Sequence, residues 1–449
     1  MKKLCLFLII SKLAFAQTIS FEEALNQTIE NSKDLQKQKI NIDIAKTNSD
    51  FIDGLNFGKV SLNSDISRTN HSGYVFMGKL SSREATFKDF GFSQMNERIN
   101  TAPKDLNYPD SYTSINSYIS YDLPLFTGFA LYHQKGILKL QEKANEILYN
   151  LDKKTLEFEV LKAYNSAVLA KDFVKTMQKA KDTIGFIKNG AKEFHKNGLV
   201  TKIDVNEAEL YFLNTNSNLI EAENNFKLSL AYLKFLTSNE NISDVENLQN
   251  TYLEIKEFED LYKIALKNRD EITLQNISIE ANNKNIKANQ GSYYPSVFTH
   301  LEYGYNDDKF STSKDKDYYM ALLGISLTLF DGTRSANLEK SRLEYLKAKL
   351  DFEKLQDGIK LEVQKAILDY KAKQEILKEK ILASELASSV LNQAKLQYKN
   401  RLISMTTLLS QETNYRQSQT MLLNAKYENS LALARLNLVL GQNLQKDYK

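Results

Sequence analysis

The 449-residue sequence contains no tryptophan, one cysteine, four prolines and 16 glycines. Pro103, Pro109, Pro124 and Pro295 fall in two zones, so long stretches carry no helix breaker and long helices are the first expectation. No apolar run reaches the roughly 18 residues that a transmembrane helix requires. His71, His133, His195 and His300 show no metal-ligand spacing, and no Gly-rich phosphate loop or Ser/His/Asp order stands out. Enzymatic chemistry, a cofactor and a metal are therefore not expected. At 42% hydrophobic and 26% charged residues, the chain is neither disordered nor collagen-like.

The N-terminus, "MKKLCLFLIISKLAFAQ", has a basic start at Lys2 and Lys3, an apolar stretch from Leu4 to Ile10, and a small-x-small site at Ala14-Phe15-Ala16. These are the marks of a secretory signal peptide over residues 1–16. Cys5 sits at the start of the apolar core, where lipidation is not expected. Cleavage removes the sole cysteine, so the mature chain has neither a disulfide framework nor thiolate chemistry. It also removes Lys2, Lys3 and Lys12, which takes the formal charge from +3 to zero. A neutral chain offers no basic footprint for nucleic acid.

Two textures alternate along the rest. Leu343, Leu346 and Leu350, then Ile359, Val363, Ala366 and Tyr370, recur at steps of three and four, and so do Leu148, Leu151, Thr155, Phe158, Leu161, Tyr164 and Val168. These are helical stripes. Read as one helix, residues 334–398 extend on the order of 100 Å, which calls for lengthwise packing as in a coiled coil. In contrast, "KVSLNSDIS" sets Val60, Leu62 and Ile66 against Ser61, Asn63 and Asp65. "YTSINSYISYDL", "VFTHLEYGY" and "YMALLGISLTL" alternate likewise, the last through Leu329. Strands of about ten residues with one apolar face match membrane-barrel strands, and they are expected within residues 59–125 and 295–330.

The halves repeat. "FEEALNQTIENSKDL" from Phe21 aligns with "FEDLYKIALKNRDEI" from Phe258, "LPLFTGF" with "LTLFDGT", and "KNGLVTKIDVNEAE" from Lys196 with "KNRLISMTTLLSQE" from Lys399. The first half carries an insertion between its strands, within residues 68–111, expected to face outward. Two repeats are expected, 17–250 and 251–449, each reading helix, strand, loop, strand, long helix, turn, long helix. Four strands cannot close a barrel, and open edges in lipid leave backbone groups unpaired. Several chains must share one barrel.

This tandem unit, with Leu-Phe-x-Gly after each second strand and a turn between the long helices, resembles the TolC-like outer-membrane efflux protein family over residues 17–441. The resemblance implies a mainly α chain with a membrane β-barrel. Four strands per chain join in a trimeric twelve-stranded barrel in outer-membrane lipid. Tandem long coiled-coil helices, residues 17–58, 126–294 and 331–449, form a periplasmic tunnel. It further implies a periplasmic adaptor and an inner-membrane pump, proton-driven or ATP-driven, as partners.

By the same resemblance, Gly198, Leu199 and Val200, with Arg401, Leu402 and Ile403, form the tip that meets the adaptor. Arg401 stands where the family usually has glycine. Asp204 and Tyr398 match a gate-holding pair joined by a hydrogen bond, and Glu207 adds charge near the closure. Thr407 and Ser410 occupy positions that are acidic in the family. Thr127 and Asp331, in the Leu-Phe-x-Gly pair, are candidates to cap the helices that follow. The expected function is the exit duct of a tripartite efflux pump. The alternatives are the duct of a type I protein secretion system and, further off, a periplasmic adaptor. An adaptor would carry one hairpin and no duplicated amphipathic strands.

Overall fold

The computed structural model describes residues 17–95, 100–247 and 257–442. The expected signal peptide, 1–16, and the expected repeat boundary at 250/251 lie outside the described residues. In chain order the elements are β1 (Gln17–Ile19), α1 (Phe21–Asn31), α2 (Lys33–Asn56), β2 (Lys59–Thr69), α3 (Ser72–Ser81), α4 (Lys104–Asn107), β3 (Tyr112–Thr127), α5 (Ala130–Lys196) and α6 (Lys202–Thr237). There follow β4 (Ile242–Val245), α7 (Phe258–Asn268), α8 (Asp270–Gln290), β5 (Ser296–Asp307), β6 (Asp317–Ser326), α9 (Arg334–Lys399) and α10 (Met405–Val439).

The chain divides into two compact units, and each draws on both sequence halves. One takes its described residues from Met1–Asn41, Asn145–Asn276 and Leu350–Lys449, the other from Ile42–Ala144 and Ile277–Lys349.

The second unit is built on an antiparallel sheet in the order β2-β3-β5-β6. Register aligns the apolar alternation of each strand, so that Leu62 faces Ile119, Ile119 faces Tyr303 and Tyr303 faces Tyr319. All four are exposed, and the outer sides of β2 and β6 pair with nothing among the described residues. A row of exposed apolar side chains across a sheet with two open edges is costly in water. The other face is polar. Asp122 pairs in register with His300, whose Nδ1 lies 2.6 Å from the Asp122 carboxylate and whose Nε2 lies 3.2 Å from that of Glu302. Tyr318 donates toward Glu302 and toward Asn116.

The inserted segment between β2 and β3 contains α3 and α4, and it is tied to the loop between β5 and β6. Arg83 donates to the carbonyls of Asp315 and Asp317 at 2.9 and 2.7 Å, and Lys316 reaches the Ser82 carbonyl at 2.6 Å and Glu84 at 2.8 Å.

The two Leu-Phe-x-Gly segments differ in structure. Leu125 is a bulge in β3, Phe126 then pairs with Val297, and the strand runs to Thr127, two residues beyond the expected end. Gly128 follows with φ +62°, and the Gly291 carbonyl oxygen lies 2.2 Å from where a Cβ would stand, so only glycine fits. The Thr127 hydroxyl accepts from the Leu131 amide at 3.4 Å, a long cap. β6 instead stops at Ser326, opposite Ser296, because β5 begins there after Pro295 and offers no further partner. Leu329 and Phe330, expected in the strand, lie outside it and are exposed. Asp331 accepts from the Thr333 amide and hydroxyl, both at 2.8 Å, just ahead of α9.

The first unit is held by three apolar clusters. In one, Tyr164 of α5 packs with Phe21, Leu25, Leu233, Ile242 and Val245, and its hydroxyl hydrogen lies between the carbonyls of Ile19 and Glu246, at 2.9 and 3.0 Å. In the second, Tyr370 of α9 is buried with Leu261, Ile359, Val363 and Leu436. Both tyrosines came from the helical stripes, and both are almost fully buried. Helix entry follows local chemistry. Ser20 and Glu23 form a capping box at α1, and both α1 and α7 break before the next helix at an extended residue, Ser32 and Arg269 respectively. The third cluster lies at the doubled turn.

Candidate functional site: the doubled helical turn

Helices α5 and α9 run 67 and 66 residues, α6 and α10 run 36 and 35, and each long pair is joined by one short turn. At the first turn the Gly198 amide donates to the His195 carbonyl at 2.9 Å and Leu199 to Phe194 at 2.8 Å. At the second, Arg401 donates to Tyr398 at 2.9 Å and Leu402 to Gln397 at 2.8 Å. These paired bonds close the last carbonyls of a helix when the residue past its end turns left-handed. Gly198 does so at φ +70° and Arg401 at φ +61°. Arg401, where the family usually has glycine, leaves the turn geometry intact and puts a side chain at a left-handed position, at a cost of about 1–2 kcal/mol.

Past each turn a hydroxyl caps the next helix. Thr201 accepts from the Asp204 amide at 3.3 Å, and the Asp204 carboxylate accepts in return from the Thr201 amide at 2.8 Å. Ser404 accepts from the Thr407 amide at 3.1 Å, and the Ser404 and Thr407 hydroxyls lie 2.9 Å apart. Asp204 and Thr407 therefore hold the same capping position after the two turns.

The hydrogen bond expected between Asp204 and Tyr398 is not formed. The Asp204 carboxylate is taken by the amide and hydroxyl of Thr201, and the buried Tyr398 hydroxyl has no hydrogen-bond partner among the described residues. Burial, and secondarily the nearby Asp204 carboxylate, push the Tyr398 hydroxyl above its ordinary titration range.

Below the turns, Ile184, Ile187 and Ala191 of α5 close on Ala208 of α6, with Leu391 and Ala394 of α9 and Met405, Leu408 and Leu409 of α10. This cluster joins the two hairpins and fixes both turns side by side. Glu207 accepts from the Thr406 hydroxyl at 3.1 Å across them. Glu209 meets Lys192 at 3.0 Å and Lys188 at 3.4 Å, and these ammonium groups, Lys192 first, hold its carboxyl below the usual range. Lys188 also stands 3.6 Å over the Phe212 ring. Ser410 is exposed.

The turn tips themselves are apolar and open. Leu199 is 43% and Leu402 72% exposed, Val200 and Ile403 are half-buried, and among the described residues nothing beyond its chain neighbours comes within 4 Å of where a Gly198 Cβ would stand.

Sequence reading missed Glu412. Its carboxylate is buried, one oxygen lacks a hydrogen-bond partner among the described residues, and Arg416 lies 3.8 Å away. Burial raises its titration point, against the pull of Arg416 and Lys395. Helical spacing from Leu408 places Glu412 on the buried face of α10, which was the available signal. The His300 cluster was missed too, because Asp122 is its neighbour only through strand register.

Residues 261–442 match the model of the outer membrane efflux protein family. No curated protein matches the chain by sequence. Among solved structures, CusC, studied for transmembrane channel formation, superposes with TM-score 0.78 at 14% identity, covering 95% of this chain and 93% of that one. A membrane protein from Pseudomonas aeruginosa gives TM-score 0.77 at 14% identity, with 96% and 92% covered. The outer membrane channel CmeC of Campylobacter jejuni gives 0.75 at 15% identity, with 94% and 85% covered. The chain thus shares the mainly helical fold, with its antiparallel sheet, of TolC-like channels.

Proposed function

We propose that this chain, whose residues 261–442 match the model of the outer membrane efflux protein family, is the outer-membrane exit duct of a tripartite efflux pump. Three copies each contribute the sheet β2-β3-β5-β6 to one twelve-stranded barrel, and the long helices line a tunnel through the periplasm. The observation that carries this reading is the sheet with one exposed apolar face and two open edges. Lipid suits the face, and only closure with further copies satisfies the edges.

The division into repeats 17–250 and 251–449 belongs to this proposal. Each copy then supplies two hairpin tips to the periplasmic end, six in all. Leu199 and Leu402 present exposed aliphatic surface there, with Val200 and Ile403 half-buried beside them, which fits a periplasmic adaptor as occupant. Gly198 and Arg401 shape the tips. Asp204, Glu207, Thr407, Ser410 and Tyr398 line the region just behind, where a constriction forms from capping groups and Glu207 supplies negative charge. Transport is passive in the duct, since an inner-membrane pump, proton-driven or ATP-driven, supplies the energy. A type I secretion system is the second reading, because its duct requires the same barrel and tunnel.

Outer-membrane fractions from cells expressing the full chain are expected to yield a heat-modifiable, detergent-requiring trimer, and a deletion strain to become drug-sensitive. Recovery as a soluble monomer overturns the proposal.

A further inference from the structure

In the second unit, a cavity of about 520 Å³ opens where β3 passes into α5. One wall is apolar and aromatic, formed by Leu125, Phe126, Phe129 and Tyr132. Phe129 and Tyr132 are exposed, and Phe129 stacks edge-on with Phe126 at 5.0 Å and with Tyr294 at 6.0 Å. The other wall carries Lys135, Lys139 and Lys284. Because the bulge at Leu125 brings Phe126 opposite Val297, the aromatic group continues the apolar face of the sheet at its lower edge. Aromatic rings followed at once by lysines are the chemistry of a membrane surface, with rings at the level of the headgroups and ammonium groups just beyond.

The charges favour an anion. Lys135 is ion-paired with Asp53, and Lys284 lies 3.6 Å from Glu280. Lys139 is exposed and has no ion-pair partner among the described residues. Lys287 adds a further cation, and the half-buried His133 is pushed below its ordinary range by burial first and then by Lys287 and Lys284. The site is also built. Gly136 stands in the interior of α5, where glycine is disfavoured against alanine. A Cβ there would lie 2.9 Å from Cδ of Lys284, so the Lys284 stem lies close against α5 at the glycine.

We propose that this cavity binds an anionic phospholipid of the periplasmic leaflet, its acyl chains on Leu125, Phe126 and Phe129 and its phosphate between Lys139 and Lys284. The inference rests on the reading of the sheet as a membrane barrel.

The test compares the full chain with Lys139→Gln, Lys284→Gln and the double variant. Each is reconstituted in equal phosphatidylglycerol and phosphatidylethanolamine, re-extracted, and weighed with its retained lipid by native mass spectrometry. Retained phosphatidylglycerol is expected to fall roughly five-fold per lysine removed, while phosphatidylethanolamine stays constant. Equal retention of the two lipids by the parent chain, or unchanged phosphatidylglycerol in the variants, overturns the inference. Displacement of the lipid by inorganic phosphate from parent and variants alike also overturns it. Lys139 is exposed, so Lys139→Gln keeps the test decisive if the double variant misfolds. Heat-modifiable protein in the outer-membrane fraction shows separately that the barrel reading stands, whatever the lipid result.

Discussion

Gly198 and Arg401 occupy one position in two copies of the same turn, with φ of +70° and +61° and the same pair of closing hydrogen bonds. Arginine there bears a left-handed backbone that glycine adopts freely. Arg401→Gly is therefore expected to stabilise the second turn by about 1 kcal/mol, and Gly198→Ala to destabilise the first by a similar amount. Thermal unfolding of the purified protein reads both. Opposite signs are expected, and equal losses would show that Arg401 earns its place through a contact of its side chain.

The tips make a functional prediction separate from stability. Leu199→Asp and Leu402→Asp are expected to abolish drug resistance conferred by the chain while its amount and assembly in the membrane stay unchanged, because both side chains are exposed. Full resistance in the double variant would remove the tips from any role in adaptor contact.

Tyr398 bears on the closure. Its hydroxyl is buried without a hydrogen-bond partner among the described residues, so Tyr398→Phe removes a desolvated group rather than a bond. Unchanged or slightly raised stability is expected, together with unchanged single-channel conductance. A loss beyond about 1 kcal/mol would mean that the hydroxyl is bonded in the assembled protein.

Glu412 gives a pH dependence with a definite sign. Its folded titration point is raised by burial, with Arg416 and Lys395 opposing. The folded state therefore binds its proton more tightly than the unfolded chain does. The stabilisation is fully present below the unfolded value and is lost as pH rises through the raised one. The cavity beside it is also lined by Lys179 and Asp182. Glu412→Gln is expected to raise the unfolding temperature at about pH 7 and to change it little at about pH 4. A loss at neutral pH would show that the ion pair with Arg416 outweighs the burial cost.

Most of the architecture was legible from spacing. The steps of three and four that include Tyr164 and Tyr370 mark the buried faces of α5 and α9, and the alternation around Leu62 and Ile119 marks one face of the sheet. The doubled turn was legible because local hydrogen bonds make it, and these are set by residues close in sequence. What escaped depended on distant partners. Leu329 alternates like a strand residue, yet β5 starts at Ser296 and gives it nothing to pair with. Asp204 was expected to reach Tyr398, but Thr201, three residues away, engages its carboxylate first. The lysine-lined cavity at Gly136 needed α8 laid across α5, which no single stretch announces.

Single-channel recording of the full chain in planar bilayers tests the proposed duct most directly. A passive outer-membrane duct gives discrete, long-lived conducting steps from the trimer without any energy source. Trimer that inserts into the bilayer and passes no current would contradict it.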